Sequence, residues 1–199
     1  MAEFLPKRTQ LVLTLSIVSA AFAMVFFIVG VTLNLDRLGY IHLLAALLLL
    51  ANAYVLKKGF LEFGRIAYFL VFNLGVFVTA LYFGKESSVE FFLIFSLAVP
   101  FFMFSYRNEK KKILSFVFFA LILWLILFLS DFNLFQLKKL DTDIASNYFY
   151  PLSIVFSVLL ITLILQYFSY LNSSHYDKIY LNKREALEAS EAKSKFLSM

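Results

Sequence analysis

Residues 11–33 read "LVLTLSIVSAAFAMVFFIVGVTL", 23 positions without one charged side chain. A helix needs about 20 such residues to cross the hydrocarbon core of a bilayer. Lys7 and Arg8 precede the run, as in a secretory signal. The run exceeds the ~7–15 apolar residues of a signal core, however, and no A-x-A site closes it. It therefore reads as a retained membrane-spanning helix, and that reading sets the class of everything downstream.

Composition agrees. The 199 residues are 62% hydrophobic and 16% charged, with 26 Phe and a mean hydropathy of +0.84. A soluble domain has about a quarter of its residues charged. Cys is absent, which removes disulfides, thiolate catalysis and Cys-ligated metals.

Five more apolar segments follow, at about 39–56, 65–83, 89–105, 113–130 and 150–171. The breaks "NLDRLG", "KKGFLEFGR", "GKESSVE", "YRNEKKK" and "SDFNLFQLKKLDTDIASNYFYP" put charge or Gly where a helix must leave lipid. The expectation is an all-α bundle of six transmembrane helices spanning 11–171, after a short N-terminus at 1–10.

Basic residues orient it, because cytoplasmic loops carry the excess of Lys and Arg. With the N-terminus in the cytoplasm, the outer side holds Arg37, Lys85, Lys138 and Lys139, and the inner side the other 14 of the 18 Lys and Arg. Both termini are then cytoplasmic. The net charge of +5 is a topology signal, and nucleic acid needs no place in the account.

Polar groups at depth are few. Asn52 on the second span and Asn73 on the third could meet across their hairpin as interhelical glue. His42 lies near the outer end of the second span and reads as a satisfied interfacial histidine. His175 is about a bilayer away, so the two cannot share a metal within one chain. Pro100 should kink the fourth span and is the candidate hinge. Phe132, Phe135, Leu137 and Leu140, interleaved with Lys138 and Lys139, could form an amphipathic segment at the outer interface. No catalytic, cofactor-binding or metal-ligating constellation emerges.

Residues 172–199 change character, closing with "EALEASEAKSKFLSM". A new helix could start at the capping pattern Ser174–Asp177, or the last span could run straight on. Ile179, Lys183, Ala186, Ser190, Lys193 and Leu197 make one weakly apolar seam. Tyr176, Tyr180, Lys183, Leu187, Ser190 and Leu197 make a competing one, and Phe196 belongs to the same linker. Such a coiled coil would shift register easily, which suits a switching element and equally describes a solvated linker.

Within this stretch Ala192, Lys193, Ser194, Phe196 and Leu197 resemble the A-K-S-x-F-L run that leads into the phosphoacceptor helix of membrane-bound sensor histidine kinases. The resemblance implies a sensory and transmission region of a two-component sensor, working as a parallel homodimer. It also implies a phosphoaccepting histidine after Met199, ATP and Mg in a kinase core beyond it, and a response regulator as partner. A membrane anchor for a nucleotide or diguanylate cyclase, or a small transporter or channel, are the alternatives.

Overall fold

The computed structural model describes residues 4–134, 137 and 139–197, with side chains at 8–134, 137, 139–169, 173 and 179–188. Phe135 and Lys138 fall outside the described residues, as do the side chains of His175, Ser190, Lys193, Phe196 and Leu197.

Among the described residues every regular element is helical. The order is α1 (Phe4–Thr32), α2 (Asp36–Lys57), α3 (Leu61–Phe83), α4 (Phe91–Met103), α5 (Tyr106–Leu129), the single turn α6 (Thr142–Ile144) and α7 (Tyr150–Leu197). Lys85–Ser87 forms a 3-10 turn after α3, and the wider π turn Ala145–Phe149 leads into α7. Two compact units divide the chain at Val158 and Leu159.

Five segments are long and apolar enough to cross a membrane: Arg8–Thr32, Asp36–Lys57, Leu61–Phe83, Tyr106–Leu129 and Thr142–Ser169. Each overlaps one of the sequence segments. The expected fourth span, 89–105, is instead a helix of only 13 residues. At 1.5 Å per residue it rises about 20 Å, against the ~30 Å of a hydrocarbon core. Its carboxyl end explains the shortening. Phe104 turns extended, with φ −111° and ψ 156°, only four residues after Pro100. Pro100 has no N–H to give to the Ser96 carbonyl, so the last turn of α4 lacks one of its own bonds. The backbone break inside a helix lies elsewhere, at Glu109 of α5, where φ is −125° and ψ 25°.

The first unit is a chain of hairpins. Gly59, at φ +94°, turns α2 into α3, a conformation that a side chain resists. α1 and α2 approach so closely that a Cβ on Gly30 would stand 2.7 Å from the Gly39 nitrogen. Small residues permit such backbone contact where lipid offers no hydrophobic drive to associate. α3 is the most enclosed of the five long helices, 56% of its most apolar window being buried. Tyr68, Phe69, Leu81 and Phe83 fill the core around it.

The opposite faces are apolar and open. Tyr40, Leu44, Leu47 and Leu48 of α2, with Phe118, Leu121, Ile122 and Leu125 of α5, are all exposed at helical spacing. Apolar stripes of that length suit hydrocarbon rather than water, so the fold is compatible with a membrane protein.

Candidate functional site

Two polar constructions stand out, one at each end of the first unit. The loops at 57–61 and 104–109 mark its basic end; the turns at 33–35 and 84–90 mark the other.

At that other end, the ring of His42 is buried, 5% exposed, six residues past the start of α2. Its Nδ1 lies 2.9 Å from the Leu38 carbonyl one turn back. Its Nε2 lies 2.9 Å from the Thr79 hydroxyl on α3. That hydroxyl in turn donates to the Gly75 carbonyl over 2.7 Å. The remaining wall is aromatic. Phe26 of α1 is 5.2 Å from the His42 ring, 5.9 Å from Phe83 and 6.5 Å from Phe149. Phe83 and Phe149 touch at 4.4 Å. Phe149 is the last residue before α7, so the cage joins α1, α2 and α3 to the base of that helix. His42 is thus a fully enclosed clasp between helices, more buried than an interfacial position implies.

The two asparagines do not meet. Asn52 donates to Ser16 Oγ at 3.1 Å and to the Gly64 carbonyl at 3.0 Å, drawing α1, α2 and α3 together near the basic end. Asn73, nine residues beyond Gly64 on α3, faces α4. It accepts from Ser96 Oγ at 2.5 Å and donates to the Phe69 carbonyl at 2.8 Å. Both act as glue, but through different partners. Gly64, which Asn52 contacts, and Asn73 stand nine residues apart on α3, about 13 Å of rise, so the two amides cannot share a bond.

The basic end carries the second construction. Arg65 of α3 donates from a terminal nitrogen to the Met103 carbonyl at 2.8 Å and from Nε to the Leu61 carbonyl at 3.2 Å. The same terminal nitrogen is 3.6 Å from Glu109, and the guanidinium lies 5.0 Å over the Phe104 ring. Glu109 accepts from the Ser105 amide at 2.8 Å, satisfying an open donor at the start of α5. Lys112 bridges Glu109 and Glu62. This clamp locks α3 to the α4–α5 hairpin. Sequence reasoning counted Arg65 and Glu109 only as loop charges. The signal that was present is an Arg placed one turn inside an apolar span, opposite a short basic loop containing one acid.

Pro100, the candidate hinge, is buried, and its carbonyl accepts from the amide of Phe104 at 3.0 Å. An apolar groove of about 250 Å³ opens further along α4 and α5, lined by Leu93, Ile94, Leu97, Ala120, Leu121 and Trp124.

Between α3 and α4, outside the helices, Glu90 has an enclosed carboxylate oxygen, Oε2, with no hydrogen-bond partner. Burial raises its pKa above the ordinary carboxylate range; its own backbone amide pulls the other way, and the Glu86 charge adds to the rise. The folded chain therefore holds this proton when the unfolded chain has shed it. Stability is highest below the ordinary Glu pKa and falls as pH rises through the folded-state value. Glu90→Gln is expected to flatten that slope and raise the thermal midpoint at neutral pH. Melting curves between about pH 4 and pH 8 check it; an unchanged slope would show that Glu90 is not the group responsible.

In the second unit, Ile179, Tyr180, Leu181 and Leu187 are exposed in the single chain, as are Lys183 and Ala186. Arg184 pairs with Glu188 one turn on, at 2.9 Å. α7 is one helix through residues 172–177, so no new helix starts at Ser174. No family model, no curated protein and no solved structure matches this chain, and the functional reading rests on its own residues.

Proposed function

We propose that the chain is the membrane-embedded sensory and transmission region of a bacterial two-component sensor histidine kinase. In this reading α4 is a sixth, short span that the bilayer meets by local thinning. Both termini face the cytoplasm of an inner membrane. Two copies associate through the exposed apolar positions of α7 into a parallel homodimer.

The observation that carries the reading is α7. It begins in an apolar stretch at Tyr150 and continues as helix to Leu197, through the charged segment that resembles a kinase linker. A helix with few committed core positions suits transmission, because two registers then differ by little energy. A population change from 1:99 to 99:1 takes about 5.5 kcal/mol of differential interaction, within reach of a clasp, a clamp and a dimer seam acting together.

The kinase core, with its ATP and Mg, would follow in the gene, and the response regulator would dock there. Reading the codons beyond Met199 tests this first: S-H, then an acid, then x-R-T-P is expected within a few residues. Membranes holding the full gene product should then label on histidine from ATP. A cyclase sequence in that place, or substrate flux through proteoliposomes without any histidine labelling, would end the proposal in favour of one of the alternatives.

A further inference from the structure

The His42–Thr79 clasp has more hydrogen bonds than a neutral histidine can supply. Leu38 O and Gly75 O are carbonyls and only accept. Serving both takes one proton from Nδ1 and the single proton of the Thr79 hydroxyl. The contact between Nε2 and Thr79 Oγ, 2.9 Å long, is then left with two lone pairs facing each other. Neutral histidine plus threonine bring two protons to three bonds. Imidazolium plus threonine bring three.

We propose that His42 and Thr79 form a proton-binding switch, loaded from the side of the membrane that faces this end of the bundle. The inference rests on the sensor reading above and names its stimulus as acid. In the unloaded state Nδ1–H donates to Leu38 O and the Thr79 hydroxyl donates to Nε2, releasing Gly75 O. A proton arriving from water binds Nε2 and turns the bond round. Nε2–H then donates to Thr79 Oγ, and the hydroxyl proton swings to Gly75 O.

Two consequences follow from the geometry. The α2–α3 bond becomes charge-assisted, roughly twice as strong as a neutral one. The ring also becomes a cation 5.2 Å from Phe26, within the ~6 Å over which an aromatic face attracts charge. Phe26 and Phe149 are in ring contact, and Phe149 ends the π turn on which α7 begins. Loading therefore tightens α1, α2 and α3 one contact away from the base of the transmission helix. A π turn, with its looser hydrogen bonding, is a place where such a change can be taken up.

The other charged and titratable groups at this end are few. α2 brings Asp36, Arg37 and Tyr40, α3 brings Tyr82, and α7 opens on Tyr150. The turn after α3 brings Lys85, Glu86 and Glu90, and the segment before α7 brings Asp131, Lys139, Asp141, Asp143 and Tyr148. α1 carries no charge here, since Lys7 and Arg8 stand at its opposite end. Glu90 is the competitor that matters, because its carboxylate is also partly enclosed and burial raises its pKa.

The test uses the 199-residue chain with ¹⁵N-labelled histidine in nanodiscs of phosphatidylethanolamine and phosphatidylglycerol, with His175→Gln to leave one signal. Between about pH 8 and about pH 5 the two ring nitrogens of His42 should converge on the imidazolium shift. Thr79→Val should abolish that convergence and Thr79→Ser should restore it. A ring that stays neutral throughout, or that titrates identically in Thr79→Val, overturns the proposal. So does an acid response that survives His42→Gln but is lost in Glu90→Gln. In vesicles of the full gene product, histidine phosphorylation should change several-fold with acid on the outer side. Titration without that change overturns acid as the stimulus. Absence of any histidine phosphorylation overturns the sensor reading alone.

Discussion

Gly30→Ala is expected to destabilise the first unit by about 1–3 kcal/mol, the cost of forcing an added methyl into a packed interface. The methyl would stand 2.7 Å from the Gly39 nitrogen and 2.8 Å from its Cα. Those atoms belong to the backbone of the facing helix and cannot rotate away, so α1 and α2 must part. Parting them also strains the Gly30 carbonyl, which accepts from the Leu35 amide at 2.8 Å in the connecting turn. Gly75→Ala is the matched control, since an added Cβ there meets nothing within 4 Å. Thermal aggregation midpoints of both variants in the same lipid nanodiscs decide the matter. A Gly30→Ala midpoint equal to or above that of the parent would show that the α1–α2 contact is looser than its geometry states.

The long apolar helices were legible because hydropathy is a property of composition, which survives without knowledge of neighbours. The run 11–33 and the helix Phe4–Thr32 overlap for that reason. The length of α4 was not legible in the same way. Pro100 reads as a kink in an apolar window, while the actual stop is the extended Phe104, whose ring stacks 5.3 Å from Phe116 on the next helix. Partner choice was the other gap. Asn52 and Asn73 are separately visible as polar residues at depth, but the direction each points depends on how its helix is rotated. That rotation is fixed by Ser16, Gly64 and Ser96, small residues with no conspicuous pattern. His42 was visible and its partner was not: a threonine on an apolar helix reads as ordinary until the clasp is assembled.

Arg65→Met should cost about 2–3 kcal/mol, somewhat below the ~3–5 kcal/mol of breaking a fully buried pair. The discount comes from exposure, the Arg65 and Glu109 side chains being 14% and 20% exposed. The cost arises because three groups lose a contact together: the Met103 carbonyl, the Leu61 carbonyl and the Glu109 carboxylate. Arg65→Lys recovers little of it, since an ammonium cannot serve two carbonyls and a carboxylate with the planar fork of a guanidinium. Glu109→Gln should be milder, about 1 kcal/mol, because an amide oxygen still accepts from the Ser105 amide. The double variant should fall short of the sum of the single ones, the mark of two residues sharing one interaction. Denaturation in mild detergent measures all four, with Arg107→Met as reference for loss of an exposed charge at the same basic end. If Arg65→Met costs no more than that reference, the clamp holds nothing. If it costs the expected amount, α3 is anchored to α4 and α5 at the basic end and clasped to α2 by His42 and Thr79 at the other. A change at the clasp then has a fixed point to act against, and the adjoining α7 is where the displacement must appear.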